Sequence, residues 1–371
     1  MKKNVLFYQG KTQYSNTGDA LINKSLIETI RPYTNIVLNN KGMPEGYLRE
    51  LGVNRSELSG RGGAKFILYM VKVAFFNLFS CKYKLFFLAT PPGHQFGNGA
   101  INFIKQLLLT ILYSLLYLLR IKIIKIGFSI GPIDRGAGML ERWKSRFIPF
   151  YYVRDPLSLD LVHRIGIKKA KFFPDLAWTY SAEFRNNQTD TLFLSFRSQV
   201  VTGAECSGYT DDLISKIEHL ATGVFAAFKI VIGYQVKEDR TFCKLLYQTI
   251  QKKREVEFYD EQILLSTADI FSSYKFVLTN RLHVALLGYQ YGALPIILSD
   301  IKKHMKIKGI FEYAAASPLL LDVNQEKLTL ADTTRHLVND SGVMMDVLGV
   351  KEKEYEMLTR SIVAEIFEQE Q

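Results

Sequence analysis

The chain is short of several things that would have set its class at once. Three cysteines in 371 residues, Cys81, Cys206 and Cys243, show no metal-ligand spacing and cannot form a disulfide framework, which points to a reducing compartment. There is no His-x-x-x-His, no cysteine pair and no close carboxylate pair with metal-ligand spacing, so neither a catalytic metal nor a bound cofactor is expected. The opening residues, MKKNVLFYQG, reach tyrosine, glutamine and glycine too early for the apolar core of a secretory signal, and a cytoplasmic protein is expected. Internal repeats and low-complexity stretches are also missing.

What is present is apolar bulk and an uneven charge. Hydrophobic residues make up 48% of the chain, ample for burial, and the length suggests two domains. The net charge of +11 hides an asymmetry: residues 1–170 carry 25 Lys/Arg against 9 Asp/Glu, and residues 171–371 carry 22 against 27. A basic first half suits an anionic partner: nucleic acid, an anionic membrane surface or a phosphorylated acceptor, or else it is simply a solvated basic face. Nucleic acid is disfavoured, because the aromatic residues sit in apolar runs instead of alternating with Lys/Arg. Two apolar segments lie in that half, at 66–79 and 106–119. The second is flanked by Lys105 and Arg120, and its uncharged run is too short for a spanning helix. Helices covering a sheet, or helices lying in a membrane interface, fit both segments. The expected location is the cytoplasm, with peripheral contact at the inner face of the membrane.

Strands alternate with helices along the chain. Strand-like runs at 4–10, 34–40, 84–93 and 121–132 end in glycine, proline or polar residues, and a second series starts at 191–197, 229–235, 256–260 and 275–279. This order predicts an α/β protein of two Rossmann-like domains facing a cleft, in the GT-B manner. The expected boundaries are 1–178 for an N-terminal domain and 190–345 for a C-terminal one, with the polar stretch 179–190 as linker and a C-terminal helix, 346–371, packing back across both. Ligands in such sheets bind beyond the carboxyl ends of the strands, where the breaks at 8–19, 90–99, 127–138, 152–156, 195–199 and 279–283 fall.

The break after the strand at 275–279 places Arg281 and His283 at the start of a helix, with Thr279 or Asn280 able to cap it. Free backbone N–H groups and the positive end of the helix dipole meet a guanidinium there, which suits a phosphate or carboxylate. A bound polyanion would favour the protonated imidazole, giving an acid or base beside an anion clamp. A capping arginine with a surface histidine fits the same spacing.

At this point the sequence resembles the polysaccharide pyruvyltransferases. The pattern runs through Asn16, Gly18 and Asp19 before a helix, a glycine–proline strand end at 127–132, Val153-Arg154-Asp155 with Ser158, the proline–aspartate segment 174–178, and Asn280-Arg281-Leu282-His283 followed by Gly292 and Pro295. A lysine segment follows, with Lys306 at the matching lysine. The resemblance spans about residues 5–315. It implies a GT-B-like fold and transfer of pyruvate from phosphoenolpyruvate onto two hydroxyls of a sugar, with formation of a cyclic ketal and release of phosphate. It further implies a donor site in the second domain built from Arg281, the Leu282 backbone, His283 and Lys306, with Arg197 as a second cation. One departure is the segment 90–97, where family members often carry several glycines.

On that reading His283 is the general acid–base, and Arg281 and Arg197 hold phosphate and carboxylate. Asp155 or Asp19 takes the proton from an attacking hydroxyl; both fit equally as helix-start aspartates. Asn16, Asp19, His94 and Arg154 face the acceptor, although Arg154 equally suits pairing with a neighbouring carboxylate and His94 a plain loop position. The remaining histidines, 163, 219, 304 and 336, read as structural. The expected acceptor is a sugar of a surface polysaccharide or its lipid-diphosphate-linked precursor. Two rivals stand beside this: a GT-B glycosyltransferase using a nucleotide sugar, for which Asp260, Glu261 and Asp269 give no convincing acidic spacing, and a non-catalytic binding module.

Overall fold

The structure is a computed structural model that describes residues 2–95, 99–182, 189–198 and 207–368. Most of the segment expected as linker, 183–188, lies outside the described residues, as do Gln199 and Cys206. The chain divides into two compact units. One comprises Met1–Tyr14, Ile22–Thr179 and Tyr355–Gln371; the other comprises Ser15–Leu21 and Tyr180–Glu354.

The first unit is built on a parallel sheet of β1 (Lys3–Tyr8), β2 (Asn35–Leu38), β3 (Tyr83–Leu88), β4 (Gly93–Gln95), β5 (Ile121–Ile130), β6 (Phe150–Val153) and β7 (Lys171–Phe172). The spatial order is β2-β1-β3-β5-β6-β7, with β4 paired to the far end of β5. The stretch carrying β4 reads as a loop because Pro91 and Pro92 remove two donors; beyond them Gly93–Gln95 pairs with Phe128–Ile130. The strands are apolar on both faces because both faces are covered. Phe7, Leu85, Phe87, Ile121 and Ile123 share one core cluster with Phe66, Met70 and Ala74 of the helix Ala64–Ser80 and with Tyr113 and Leu116 of the helix Ala100–Leu118. Leu6, Leu88, Ile124 and Ile126 point the other way, towards Leu26, Ile30, Val363, Ile366 and Phe367. One buried ionic triad interrupts this core: Glu141 pairs with both Lys125 and Lys144 and accepts a hydrogen bond from the Tyr151 hydroxyl at 2.8 Å.

The second unit holds β8 (Thr189–Ser195), β9 (Lys229–Tyr234), β10 (Glu257–Gln262), β11 (Tyr274–Thr279), β12 (Leu294–Ser299) and β13 (Leu320–Asp322), all parallel, in the order β10-β9-β8-β11-β12-β13. Counted from β8 this is the 3-2-1-4-5-6 order of a Rossmann sheet, whose chain direction reverses between β8 and β11. The helix Leu282–Gln290 lies so close to β11 that a Cβ on Gly288 would stand 2.6 Å from Val277 Cγ2, which restricts that position to glycine.

Two helices continue from one unit into the other. Thr17–Ile30 starts in the second and finishes in the first. The C-terminal helix is longer than its amphipathic pattern suggests and runs from Ser341 to Glu368. Its part up to Glu354 counts with the second unit, where Glu352 accepts a hydrogen bond from the Tyr289 hydroxyl at 2.8 Å. From Tyr355 onward it counts with the first, where Tyr355 packs against Trp178 and Phe172.

Candidate active site

The crevice of a Rossmann sheet opens where the strand order reverses, at the carboxyl ends of the strands. In the second unit that is the gap between β8 and β11. Arg197 stands two residues past the end of β8, and Asn280 and Arg281 follow β11 directly. The fully buried Asn280 locks the two loops together. Its Oδ1 accepts from the Arg197 backbone N–H at 2.9 Å, and its Nδ2 donates to the Arg197 carbonyl at 2.9 Å. Thr279 does the same one residue earlier: its hydroxyl donates to the Ser195 carbonyl and accepts from Arg281 N at 3.0 Å. These bonds change one expectation. Neither Thr279 nor Asn280 caps the following helix, since both side chains are engaged with β8 and the loop after it; the N-cap position belongs to Arg281 itself.

The side chains gathered here are strongly cationic. Arg281 Nη2 donates to Asp239 Oδ1, while Arg281 Nε and Asp239 Oδ2 are buried with no hydrogen bond among the described residues. Asp239 is only 5% exposed, and burial pushes its carboxyl above the usual aspartate range against the pull of Arg281 and Arg197. Arg197 is pushed down to about 10, first by burial and then by the neighbouring charge of Arg281. Arg281 pairs with Asp239 and Arg197 feels the charges of both, an arrangement of two cations to one carboxylate that favours an incoming anion.

Two residues here escaped the sequence reading. Arg197 Nη2 lies 2.7 Å from His304 Nε2. A guanidinium only donates, so this ring nitrogen accepts and the ring proton sits on Nδ1, facing the Ser299 hydroxyl at the end of β12. His304, read as structural, holds Arg197 through this contact. Asp239, at the N-cap position of the helix Arg240–Ile250, is the buried partner of Arg281. Neither link has a local signal, because the partners are 107 and 42 residues apart.

The N-terminal glycine–aspartate turn joins this site. Residues 15–21 count with the second unit. Thr17 Oγ1 donates to the Ile263 carbonyl at 2.7 Å, and Gln262 Nε2 donates to the Ser15 carbonyl at 2.7 Å. Asn16 pairs in a bridge with Val236, its Oδ1 accepts from Gly18 N at 2.9 Å, and its Nδ2 donates to Asp19 Oδ1 at 3.2 Å. The turn sets Gly18 against His283: a Cβ on Gly18 would stand 2.4 Å from His283 Nδ1. The glycine is there to let the backbone reach the imidazole. Leu282 opens the helix and is buried, and Lys306 stands in the first turn of the helix Met305–Tyr313, just after His304.

Arg154 and Asp155 lie in the first unit, and each takes the structural one of its two readings. Arg154 is 1% exposed, donates to Asp175 Oδ2 at 2.8 Å and to Ser129 Oγ at 2.9 Å, and so ties three of the quoted sequence segments together. Asp155 is the N-cap of the helix Pro156–Arg164; it accepts from Ser158 N at 2.8 Å and from Ser158 Oγ at 2.7 Å. His94 lies in β4, and its side chain lies outside the described residues. A surface hollow in the second unit, lined by Thr189, Lys229, Glu257 and Tyr274, sits at the opposite, amino-terminal edge of the sheet and gathers no comparable cluster of cations.

The arginine–leucine–histidine turn, the glycine that makes room for its imidazole and the buried Arg154–Asp175 pair all lie within or close to the span of one sequence family. The model of the polysaccharide pyruvyl transferases matches residues 16–299. The chain belongs to that family. No curated protein sequence matches this pyruvyl transferase. Among solved structures it is similar to the UDP-GlcNAc 2-epimerase of Neisseria meningitidis, with a TM-score of 0.59 and 10% identity over 100% of both chains. A putative UDP-N-acetylglucosamine 2-epimerase from Listeria monocytogenes is similar with a TM-score of 0.59 and 10% identity, over 100% of this chain and 98% of the other. The UDP-GlcNAc 2-epimerase of Methanocaldococcus jannaschii has a TM-score of 0.54 and 12% identity over 90% and 92%. At such identities the likeness concerns the fold alone: the pyruvyl transferase is a protein of two Rossmann-like domains of the GT-B kind.

Proposed function

We propose that the protein transfers pyruvate from phosphoenolpyruvate onto two hydroxyls of one sugar in a surface polysaccharide or its lipid-diphosphate-linked precursor. The observation that carries this is the gathering of two guanidiniums, Arg281 paired with the buried Asp239 and Arg197 close enough to feel both charges, beside an imidazole at a helix start. Phosphoenolpyruvate brings a phosphate and a carboxylate on one small carbon frame, so two separately anchored guanidiniums match it. Lys306 adds a third cation, and the backbone around Leu282 adds helix-terminal N–H groups.

His283 gives a proton to the methylene carbon of the donor, and positive charge develops on the neighbouring carbon and its oxygen. A sugar hydroxyl adds there, and its proton restores the one that His283 gave up. The carbon–oxygen bond to phosphate then breaks, and the second hydroxyl closes the ketal as its proton goes to the departing phosphate. One proton is gained by the methylene and one by phosphate, matching the two lost by the hydroxyls. Arg281 and Arg197 hold the donor's phosphate and carboxylate throughout. Gly18 keeps the imidazole in place, Asn16 shapes the turn that carries it, and Asp19, in the same turn, is the carboxylate proposed to face the acceptor. His94 is proposed on the acceptor side. No metal or cofactor enters these steps, and the reaction is placed in the cytoplasm.

Melting curves test this on wild type and Arg281→Ala with phosphoenolpyruvate and, separately, UDP- and GDP-sugars. A ligand at about a hundred times its dissociation constant adds about 2.7 kcal/mol. Stabilisation by phosphoenolpyruvate that disappears in Arg281→Ala supports the proposal. Stabilisation by a nucleotide sugar alone overturns it in favour of a glycosyltransferase.

A further inference from the structure

The two apolar helices of the first unit each use only one face on the sheet. Phe66, Met70 and Ala74 of Ala64–Ser80, and Thr110, Tyr113 and Leu116 of Ala100–Leu118, are buried. Their other faces carry large apolar side chains in the open. On the second helix Ile101, Ile104, Leu108, Ile111, Leu115 and Leu118 are exposed, a stripe at alternating steps of three and four. On the first, Phe75, Phe76 and Phe79 are exposed, and Phe79 reaches 77%. Soluble surfaces rarely leave so continuous an apolar stripe uncovered.

Charge along the stretch of chain that carries both helices has one sign. From Leu58 to Ile133 the chain has no aspartate or glutamate, while besides the buried Lys125 it has Arg61, Lys65, Lys72, Lys82, Lys84, Lys105, Arg120 and Lys122. Where the two helices end, a pocket is lined by Lys2, Lys84, Arg120 and Lys122 together with Asn77 and Tyr83. Lys122 is crowded there, and its ammonium is pushed below the ordinary lysine value by burial and by the charge of Lys84. The pocket lies beside the starts of β3 and β5, at the opposite end of those strands from their carboxyl termini.

We propose that this face docks on an anionic lipid bilayer, with the exposed apolar side chains of both helices in the acyl boundary and the Lys84–Arg120–Lys122 pocket holding headgroup phosphate. The absence of acidic residues selects the occupant. Two copies of the face would bring like charges together, whereas an anionic bilayer offers both an apolar interior and negative charge. The helix lies in the interface and does not span it. Residues 101–118 are long and apolar enough to cross, which the uncharged run by itself did not suggest, because the helix continues past Lys105. Crossing would tear Thr110, Tyr113 and Leu116 out of the sheet core. Docking does not depend on the donor chemistry proposed above.

Co-sedimentation of the full chain with vesicles tests the inference, using phosphatidylglycerol mixed with phosphatidylcholine against phosphatidylcholine alone. Binding to the anionic vesicles is expected to fall about tenfold or more when salt rises from about 0.1 M to about 1 M, as the Debye length shrinks from about 10 Å to about 3 Å. The variant Phe76→Ser/Phe79→Ser/Leu108→Ser/Leu115→Ser changes only exposed positions and is expected to lose binding while keeping its melting temperature. Lys84→Gln/Lys122→Gln is expected to lose the preference for anionic vesicles. Equal binding to both vesicle types, no binding, or a stable dimer broken by the four-serine variant overturns the proposal. So does retention in the membrane fraction under alkaline carbonate, the mark of a spanning helix.

Discussion

An alanine at position 18 would put its Cβ 2.4 Å from His283 Nδ1, 2.8 Å from His283 Cβ and 2.9 Å from Cγ. Ordinary carbon contacts lie at about 3.5–4.0 Å, so the turn or the imidazole must shift by about 1 Å. Overpacking of this kind costs about 1–3 kcal/mol, and the better helix propensity of alanine near the start of Thr17–Ile30 returns up to about 1 kcal/mol. The net loss of stability is therefore about 0–3 kcal/mol, a melting shift of several degrees at most. Catalysis responds differently, since a misplacement of about 1 Å in a reacting group costs about a hundredfold. Gly18→Ala is thus expected to lower kcat/KM about a hundredfold in a phosphate-release assay while remaining folded. In a His283→Ala background the substitution should cost less stability, because the ring atoms of the clash are gone and only the Cβ contact remains. If kcat/KM in Gly18→Ala stays within about threefold of wild type, the placement of Gly18 against a working imidazole is refuted.

His304→Ala removes the acceptor that aims Arg197, and a hydrogen bond to a charged group contributes about 1.5–3 kcal/mol, so KM for the donor should rise at least about tenfold with kcat changed much less. An asparagine at 304 should recover part of that loss, which a purely structural role would not predict. Glu141→Gln leaves the buried Lys125 and Lys144 without their carboxylate and is expected to cost about 3–5 kcal/mol in urea unfolding. The pH dependence has a definite sign: the two lysines hold the Glu141 carboxyl well below the usual range, so its contribution is present above about pH 4.5 and is lost as pH falls. The acid limb of the wild-type stability curve should accordingly be steeper than that of Glu141→Gln. Arg154→Met strands the buried Asp175 carboxylate and should destabilise by about 3–5 kcal/mol, whereas Arg154→Met with Asp175→Leu should recover much of it. A double variant as unstable as the single one would contradict a purely structural Arg154.

The sequence is most informative where the physics is local. Strands covered on both faces show as unbroken apolar runs, so the alternation of β8, β9, β10 and β11 with helices is legible, as is the position of Arg281 and His283 at a strand end. Arg281 as its own N-cap is not legible, because what diverts Thr279 and Asn280 from capping is the neighbouring strand β8, more than 80 residues away in sequence. The partners of Arg197 and Arg281 are hidden for the same reason. Asp155 shows the reverse case: its N-cap geometry follows from Pro156 and Ser158 alone, and the structure adds only how deeply it is buried. Gly18 is read easily as a turn glycine, but its purpose depends on a histidine 265 positions later, which no local pattern encodes.

That long-range tether bears on how the protein is made. Thr17 leaves the ribosome 246 residues before the Ile263 carbonyl that accepts its hydroxyl hydrogen bond. At about 5–20 residues per second, the segment 15–21 waits roughly 12–50 s without its docking partners. Its downstream helix can already pack on β1 in that time, so the segment waits as a loop held at both ends by the first unit. For the same reason residues 180–354 expressed alone would lack a piece of their own unit. The second unit of this enzyme is not a cassette that gene fusion could lift out and exchange; it is completed by residues 15–21.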